Sequence, residues 1–308
     1  MMAITGTRMS KFAALVLGQG SCRLGLADVG SGGTLKAPWN LLPKAYLDIV
    51  AFEPTDSAAS NRPVCVSDHH GTATFNIAID ERASSFHLPN PNFISRYGQP
   101  NLAVKKTIEV DCVTLDEIFS SQMEKIDAVD VNVEGHDLFA LKGGTGLLKN
   151  GFIKLLKVEF ELTEVWIGNS RFSEIEQFMR SQKYDLVELE IDRIRPMRAA
   201  HIHFKGEPVW GKAYFVASPD YWAATNDRMS REELKNHLLK AMVLYVCAGF
   251  PGRAIDVLYV VPGIFTDSET AYYLARIEHV FKWARLDRYA GSVAYLGGAV
   301  IHKLTGRA

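Results

Sequence analysis

The sequence predicts an α/β protein with a Rossmann-like, mostly parallel sheet, followed by a helical C-terminal extension. Three observations carry that prediction. Strand-like apolar runs alternate with helix-like segments as far as Ala217, the pattern of parallel strands joined by crossover helices. The run Leu26-Ala27-Asp28-Val29 opens directly into Gly30-Ser31-Gly32-Gly33, and a second run, Ile49-Val50-Ala51-Phe52, ends in Glu53-Pro54. From Ser230 onward the pattern becomes helical throughout.

In chain order, residues 10–18 read as a short helix leading into a first strand at 24–29. Glycines after that strand let backbone approach a ligand where side chains would block it. An acid at the tip of the second strand, 48–53, suits the hydroxyls of a ribose; Glu53 lies 23 positions after Gly30, near the usual spacing of about 20. Between them Pro38 and Pro43 break up any long crossover helix. Pro63 to Ser67 reads as a third strand, residues 72–79 and 104–112 as a hairpin-like insertion, and the Pro/Asn/Gly-rich stretch 88–101 as a loop. Thr114 with Glu117 forms a capping box. A fourth strand spans 126–133, a helix 137–148, a fifth strand 153–161, a helix from Ser173 to about 181, a sixth strand 184–189 and a seventh 212–217. Helices at 230–247, 252–260 and 267–287 complete the chain. These readings divide it into a ligand-binding domain, 1–225, and a helical extension, 226–308.

Composition narrows the function. The chain has 308 residues, 47% of them hydrophobic, enough for a sizeable core. Lys and Arg number 34 against 35 acids, a net charge of −1 with no basic run, which argues against a nucleic-acid surface. Cys22, Cys65, Cys112 and Cys247 are widely spaced, as reduced thiols of a cytoplasmic protein would be. The apolar run from Phe12 to Leu17 is too short for a signal peptide, and Ala241 to Phe265 is interrupted by Pro251, Arg253, Asp256 and Pro262, so no membrane span is expected.

Further segments join the glycine turn in register: Val66-Ser67-Asp68-x-x-Gly71, Thr114-Leu115-Asp116, Val131-Asn132-Val133-Glu134-Gly135-x-Asp137 with Lys142-Gly143, and Val158-Glu159-Phe160-Glu161. In this order they resemble the FkbM family of S-adenosylmethionine-dependent methyltransferases, over about residues 24–220. Pro38-Trp39, Gly168-x-x-x-Phe172 and Val209-Trp210-x-x-Ala213-x-Phe215 resemble one branch of it. The resemblance implies a seven-stranded methyltransferase sheet whose last strand is antiparallel, with S-adenosylmethionine across the carboxyl ends of the first four strands. Gly30, Ser31 and Gly32 would pack on the methionine part, Glu53 would hold the ribose, Ser67 and Asp68 would flank the adenine, and Asn132 and Glu134 would face the methionine end and the acceptor. The implied reaction is methylation of a hydroxyl on a sugar, glycoconjugate or small metabolite. Two positions depart from the family pattern: its Lys and Asp before the acid-glycine pair are here Asp130 and Asn132.

Each candidate has a plainer alternative. Asp28 either touches ligand or braces the glycine turn, Asp68 contacts adenine or starts the turn to Gly71, and Glu134 faces the site or caps the following helix. His136, with Asp137 beside it, is the candidate proton acceptor, because histidine titrates nearest neutrality. His201 and His203 would share a strand face, but with no third ligand no metal site is expected. One of Glu159 and Glu161 is expected to point into an acceptor pocket, while Trp166, Trp210 and Trp222 either stack on a sugar or fill the core. The competing functions are an NAD-dependent oxidoreductase and an inactive cofactor-binding scaffold. Leu35, standing where a third glycine would fall, counts against the dehydrogenase. The expected partner is a small-molecule or glycan acceptor, and the C-terminal helices could also pair two copies of the chain.

Overall fold

A computed structural model describes residues 6–18, 22–30, 32–55, 62–121, 125–150 and 153–282. The chain groups into two compact units: Arg23–Leu35 with Leu47–His237, and Met1–Cys22 with Lys36–Tyr46 and Leu238–Ala308.

The larger unit carries a six-stranded sheet with strands β1 (Leu24–Val29), β2 (Leu47–Phe52), β6 (Ala128–Val131), β7 (Leu155–Glu161), β8 (Tyr184–Ile194) and β9 (Glu207–Ala217), in the order β2-β1-β6-β7-β9-β8. β1 pairs in parallel with β2 and β6, and β6 with β7, whereas β9 runs antiparallel to both β7 and β8. The last strand is therefore antiparallel, as expected. β6 is buried at every residue and β1 and β7 nearly so, as strands covered on both faces must be.

The count of seven is corrected to six among the described residues. The segment expected as third strand of this sheet, β3 (Cys65–Val66), pairs instead with β5 (Val104–Val113), which also pairs antiparallel with β4 (Gly71–Ala78). A bridge between Phe52 and Arg62, with Arg62 N–H donating to the Ala51 carbonyl at 3.1 Å, ties this region to the end of β2. The hairpin-like insertion thus recruits β3 into a small second sheet, with Phe75, Ile77, Val110, Cys65 and Cys112 as its core.

Other differences have local causes. The stretch read as a loop contains a helix, α2 (Pro91–Tyr97): Asn90 Oδ1 accepts from Asn92 N–H at 3.0 Å, Pro91 stands at the first helical turn and Gly98 closes it with φ 65°. The residue types that signal a loop are here helix caps. The helix after β6 is divided into α4 (Asp137–Lys142) and α5 (Thr145–Lys149) by Gly143 and Gly144. Thr114 caps the short α3 (Leu115–Ile118) by accepting from Glu117 N–H at 3.0 Å, but the Glu117 carboxylate turns to His70 Nδ1, 3.1 Å away. α6 (Phe172–Ser181) starts one residue before the proposed Ser173 cap, with Glu174 accepting from Arg171 N–H at 2.8 Å. His201 and His203 lie in the connection between β8 and β9, outside any strand, so they share no strand face. The larger unit ends with α7 (Pro219–Asn226) and the start of α8 (Arg231–Cys247).

In the smaller unit, α1 (Gly6–Leu17) buries Met9, Phe12, Ala13 and Val16. Pro38 and Pro43 flank two short turns, Trp39–Leu41 and Lys44–Tyr46, in place of a crossover helix. Cys247 Sγ, near the end of α8, donates to the Pro38 carbonyl at 3.1 Å. α9 (Pro251–Asp256) and a helix over residues 267–282 follow; the expected helical residues beyond 282 lie outside the described residues. Among the described residues no helix is long and apolar enough to cross a membrane.

Candidate active site

Strand register sets the site. Asp28 pairs with Asp130, Asp130 with Lys157 and Lys157 with Tyr214, a polar row crossing β1, β6, β7 and β9. Residues two apart on a strand share a face, so Glu159 and Glu161 continue the Lys157 side of β7 toward its carboxyl end. The anion at Asp130, where the family pattern has a cation, is matched across the sheet: Lys157 Nζ lies 3.1 Å from Asp130 Oδ2, and both side chains are buried.

At the carboxyl rim, Gly30 holds β1, β2 and β6 together. Its N–H donates to the Phe52 carbonyl at 3.0 Å, and its φ is 78°. A Cβ there would run into the Asn132 carbonyl, so close backbone approach and left-handed geometry both require glycine. Gly32 is also left-handed (φ 53°), but a Cβ there would meet open space within 4 Å; Ser31 lies outside the described residues. Glu53 stands at the tip of β2, half-buried, and its Oε1 accepts from the Thr55 hydroxyl at 2.6 Å and the Thr55 N–H at 3.2 Å. Asn132 N–H donates to the Val29 carbonyl at 2.9 Å, while its Oδ1 is buried without a partner.

Ser67 follows β3 and is fully buried, its N–H donating to the Val113 carbonyl at 2.9 Å. Gly143 packs directly on the Ser67 carbonyl, which fixes this turn against the α4–α5 junction. Ser67 Oγ lies 3.0 Å from His136 Nε2 and 3.3 Å from both Asp68 Oδ1 and His69 Nδ1. Partial burial works against the Asp68 carboxylate, but the hydrogen bonds and charge of His69 and the Ser67 hydroxyl outweigh it and hold its pKa below the ordinary value.

The turn after β6 is the most constrained part of the site. Glu134 has φ 53° and Gly135 φ 88°. A left-handed conformation in a residue with a side chain costs about 1–3 kcal/mol and persists only where its surroundings enforce it. Here they do: the Glu134 carbonyl accepts from Ser85 Oγ at 2.6 Å, and buried Asp137 accepts from the N–H groups of Val133 and Gly135, each at 3.1 Å. A Cβ on Gly135 would fall 2.7 Å from the Trp166 ring. Burial, then the charge of Glu159, raises the Asp137 pKa well above the usual carboxylate range. His136 is closed in by the rings of Phe86, His87 and Phe139, with centroids 4.4, 5.6 and 4.6 Å away. Burial, with a smaller contribution from His87, lowers its pKa to about 3. The near-neutral titration expected of His136 is therefore replaced by a neutral, buried ring whose Nδ1 has no partner.

The structure thus gathers Gly30, Glu53, Ser67, Asn132 and Glu134 at the carboxyl ends of β1, β2, β3 and β6. Of the two β7 acids, Glu161 is the deeply buried one, 3% exposed, with Oε2 unpartnered. Trp166 and Trp222 belong to the core, and Trp210 is half-buried. Asn169, 6% exposed with Oδ1 unpartnered, is a site residue that the sequence signals only through the adjacent Gly168. The helix α2 packs Phe93 and Tyr97 on Val165, Trp166 and Val209. It borders a 420 Å³ cavity lined by Asn92, Arg96, Thr163, Glu164 and Arg171, just beyond the end of β7. Asn90 Nδ2 donates to Glu164 Oε2 at 3.1 Å, and Arg96 pairs with Glu207 at 2.7 Å on the cavity wall.

Residues 35–186 match the family described as "Methyltransferase FkbM domain", beginning just after the glycine turn and ending within β8. No curated protein and no solved structure matches the chain.

Proposed function

Because residues 35–186 belong to the FkbM methyltransferase family, we propose that this methyltransferase uses S-adenosylmethionine and methylates a hydroxyl of a sugar, glycoconjugate or small metabolite. One observation carries the reading: Gly30 bonds the end of β2 and abuts Asn132 at the end of β6, so the glycine turn, Glu53 and the unpartnered Asn132 Oδ1 share one rim. Open α/β sheets bind ligands at that rim. The residues fit the cofactor. Gly30 and Gly32 keep side chains away from its methionine part, and Asn132 Oδ1 awaits a donor. Glu53 offers a carboxylate to a ribose diol, and Ser67 with Asp68 offers polar groups to an adenine. Asp28, half-buried in the polar row two residues before Gly30, is placed either to brace the glycine turn or to meet the ligand.

When bound, the cofactor supplies a methyl group already activated as a sulfonium. The chain's own work is then to align an acceptor hydroxyl and remove its proton. The cavity beside α2 is the acceptor entrance in this reading, since its mixture of Asn92, Thr163, Glu164 and Arg171 suits a polyhydroxylated ring. Asp137 shapes the turn that presents Glu134, and His136 supports Ser67.

Calorimetry with S-adenosylhomocysteine tests the cofactor, with NADH as the counter-probe. We expect S-adenosylhomocysteine to bind and Glu53→Ala to weaken it by about 10- to 100-fold, the loss of charge-assisted hydrogen bonds worth about 1.5–3 kcal/mol. Binding of NADH alone, or a Glu53→Ala variant of unchanged affinity, would overturn the reading. Transfer of a labelled methyl group from the cofactor to methyl glycosides tests the acceptor class.

A further inference from the structure

Among the buried polar atoms without hydrogen-bond partners are three oxygens after the ends of β6 and β7: Asn132 Oδ1, Glu161 Oε2 and Asn169 Oδ1. An unsatisfied buried acceptor costs about 1–3 kcal/mol, so each of these calls for a ligand that brings a donor. Glu161 is surrounded by further carboxylates, Asp137 and Glu134 from the turn after β6 and Glu159 from its own strand. Asn169, nine-tenths buried, donates from its amide to the Ser170 carbonyl at 3.1 Å, leaves its own Oδ1 open, and lies close enough to Glu161 to favour its carboxylate form. On β9 the register partner is the apolar Trp210, and Arg171 reaches Glu161 only through a backbone bridge. Among the described residues no three His, Cys, Asp or Glu side chains are placed to hold a metal ion.

These carboxylates are not equivalent. Both Asp137 oxygens are engaged by backbone N–H groups. Glu134 and Glu159 are half-buried and have other interactions. Glu161 alone among the four combines deep burial with an unpartnered oxygen. We propose that Glu161 Oε2 receives the proton of the acceptor hydroxyl, with Asn169 as its positioning residue. This rests on the methyl-transfer reading above.

The chemistry favours that assignment over His136. Burial, then the charges of Asp137, Glu159 and Glu134, raises the Glu161 pKa well above the ordinary value, which makes its ionised form a stronger base near neutrality. His136 instead binds protons too weakly to serve. Glu161 takes the hydroxyl proton as the O–CH3 bond forms and the S–CH3 bond breaks with its electron pair going to sulfur, so a sulfonium and a carboxylate become a neutral thioether and a neutral acid. Glu161 keeps that proton beside the neutral product and releases it to solvent when the next cationic cofactor binds. A cationic cofactor beside this cluster favours the carboxylate, and the neutral product favours its reprotonation, so the base is charged when it is needed.

The test is proton release on binding, measured near neutral pH by calorimetry in buffers of different ionisation enthalpy. The probes are S-adenosylhomocysteine and sinefungin, which carries a protonated amine in place of the sulfonium. Wild type should release more protons with sinefungin, by a difference approaching about one. Glu161→Gln should abolish that difference while still binding both ligands, and should lower kcat by about 10²- to 10⁴-fold. Asn169→Ala should shift the acid limb of the kcat profile to higher pH, since a hydrogen bond that favours the carboxylate is gone. Equal release with both probes, a difference that survives in Glu161→Gln, or a Glu161→Gln kcat within tenfold of wild type would overturn the proposal. If wild type binds neither probe, the cofactor reading falls as well, and the two failures are thereby told apart.

Discussion

Replacing Lys157 with methionine isolates the consequence of an anion at position 130. Asp130 and Lys157 are register partners on β6 and β7, their side chains 8% and 4% exposed, with 3.1 Å between Nζ and Oδ2. On its other side Asp130 faces Asp28 in the register of β1. Lys157→Met keeps much of the side-chain volume but leaves Asp130 buried beside another acid. Removing one partner of a buried pair costs about 3–5 kcal/mol, because the remaining charge has lost both water and counter-charge. At an m-value of about 3 kcal/mol/M, the urea midpoint should fall by about 1–2 M. The double variant Asp130→Leu with Lys157→Met removes both charges and should recover most of that loss, since apolar replacement of a buried pair is often neutral or stabilising. Urea titration followed by tryptophan fluorescence reads all three proteins. A single variant that loses less than about 1 kcal/mol, or a double variant no more stable than the single, would refute the view that Lys157 compensates Asp130.

Two further predictions follow from the turn after β6. Gly135→Ala must hold a side chain at φ 88° with its Cβ 2.7 Å from Trp166, so it should destabilise by about 2–5 kcal/mol and displace Glu134. A melting temperature and S-adenosylhomocysteine affinity both unchanged would contradict this. For His136, the folded pKa of about 3 lies below the ordinary 6.5, so between those values the unfolded chain binds the proton and the folded chain does not. Its stabilising contribution is complete above pH 6.5 and declines as pH falls, by about 1.4 kcal/mol per pH unit. The stability gap between wild type and His136→Gln should narrow or invert at that slope on acidification, and parallel stability curves would count against a buried, neutral ring.

Much of the site was legible because close backbone approach and charge leave local signatures. The glycine turn after β1, Glu53 after β2, the Ser67-Asp68 turn and the Asn132-to-Asp137 segment all reach the carboxyl rim. The helix α2 replaces the expected loop because Asn90, Pro91 and Gly98 serve caps and loops equally well, and only packing of Phe93 and Tyr97 distinguishes the two. The pairing of β3 differs from the expected one because two apolar residues, Cys65 and Val66, do not specify which neighbour completes their hydrogen bonds. The residue type of His136 predicts a near-neutral pKa, whereas the rings of Phe86 and His87, from elsewhere in the chain, close over it together with Phe139 of the helix it begins.

By itself the sequence determined the alternating α/β plan, the glycine turn and the acid at the second strand tip, since backbone stereochemistry and hydrophobic period act over a few neighbouring residues. Only the tertiary structure decided that Lys157 answers Asp130, that Asp137 is a brace, and that Glu161 and Asn169 carry the unpartnered oxygens. Burial and strand register join residues far apart in the chain, and a carboxyl group's chemistry follows from the dielectric and charges around it rather than from its neighbours in sequence.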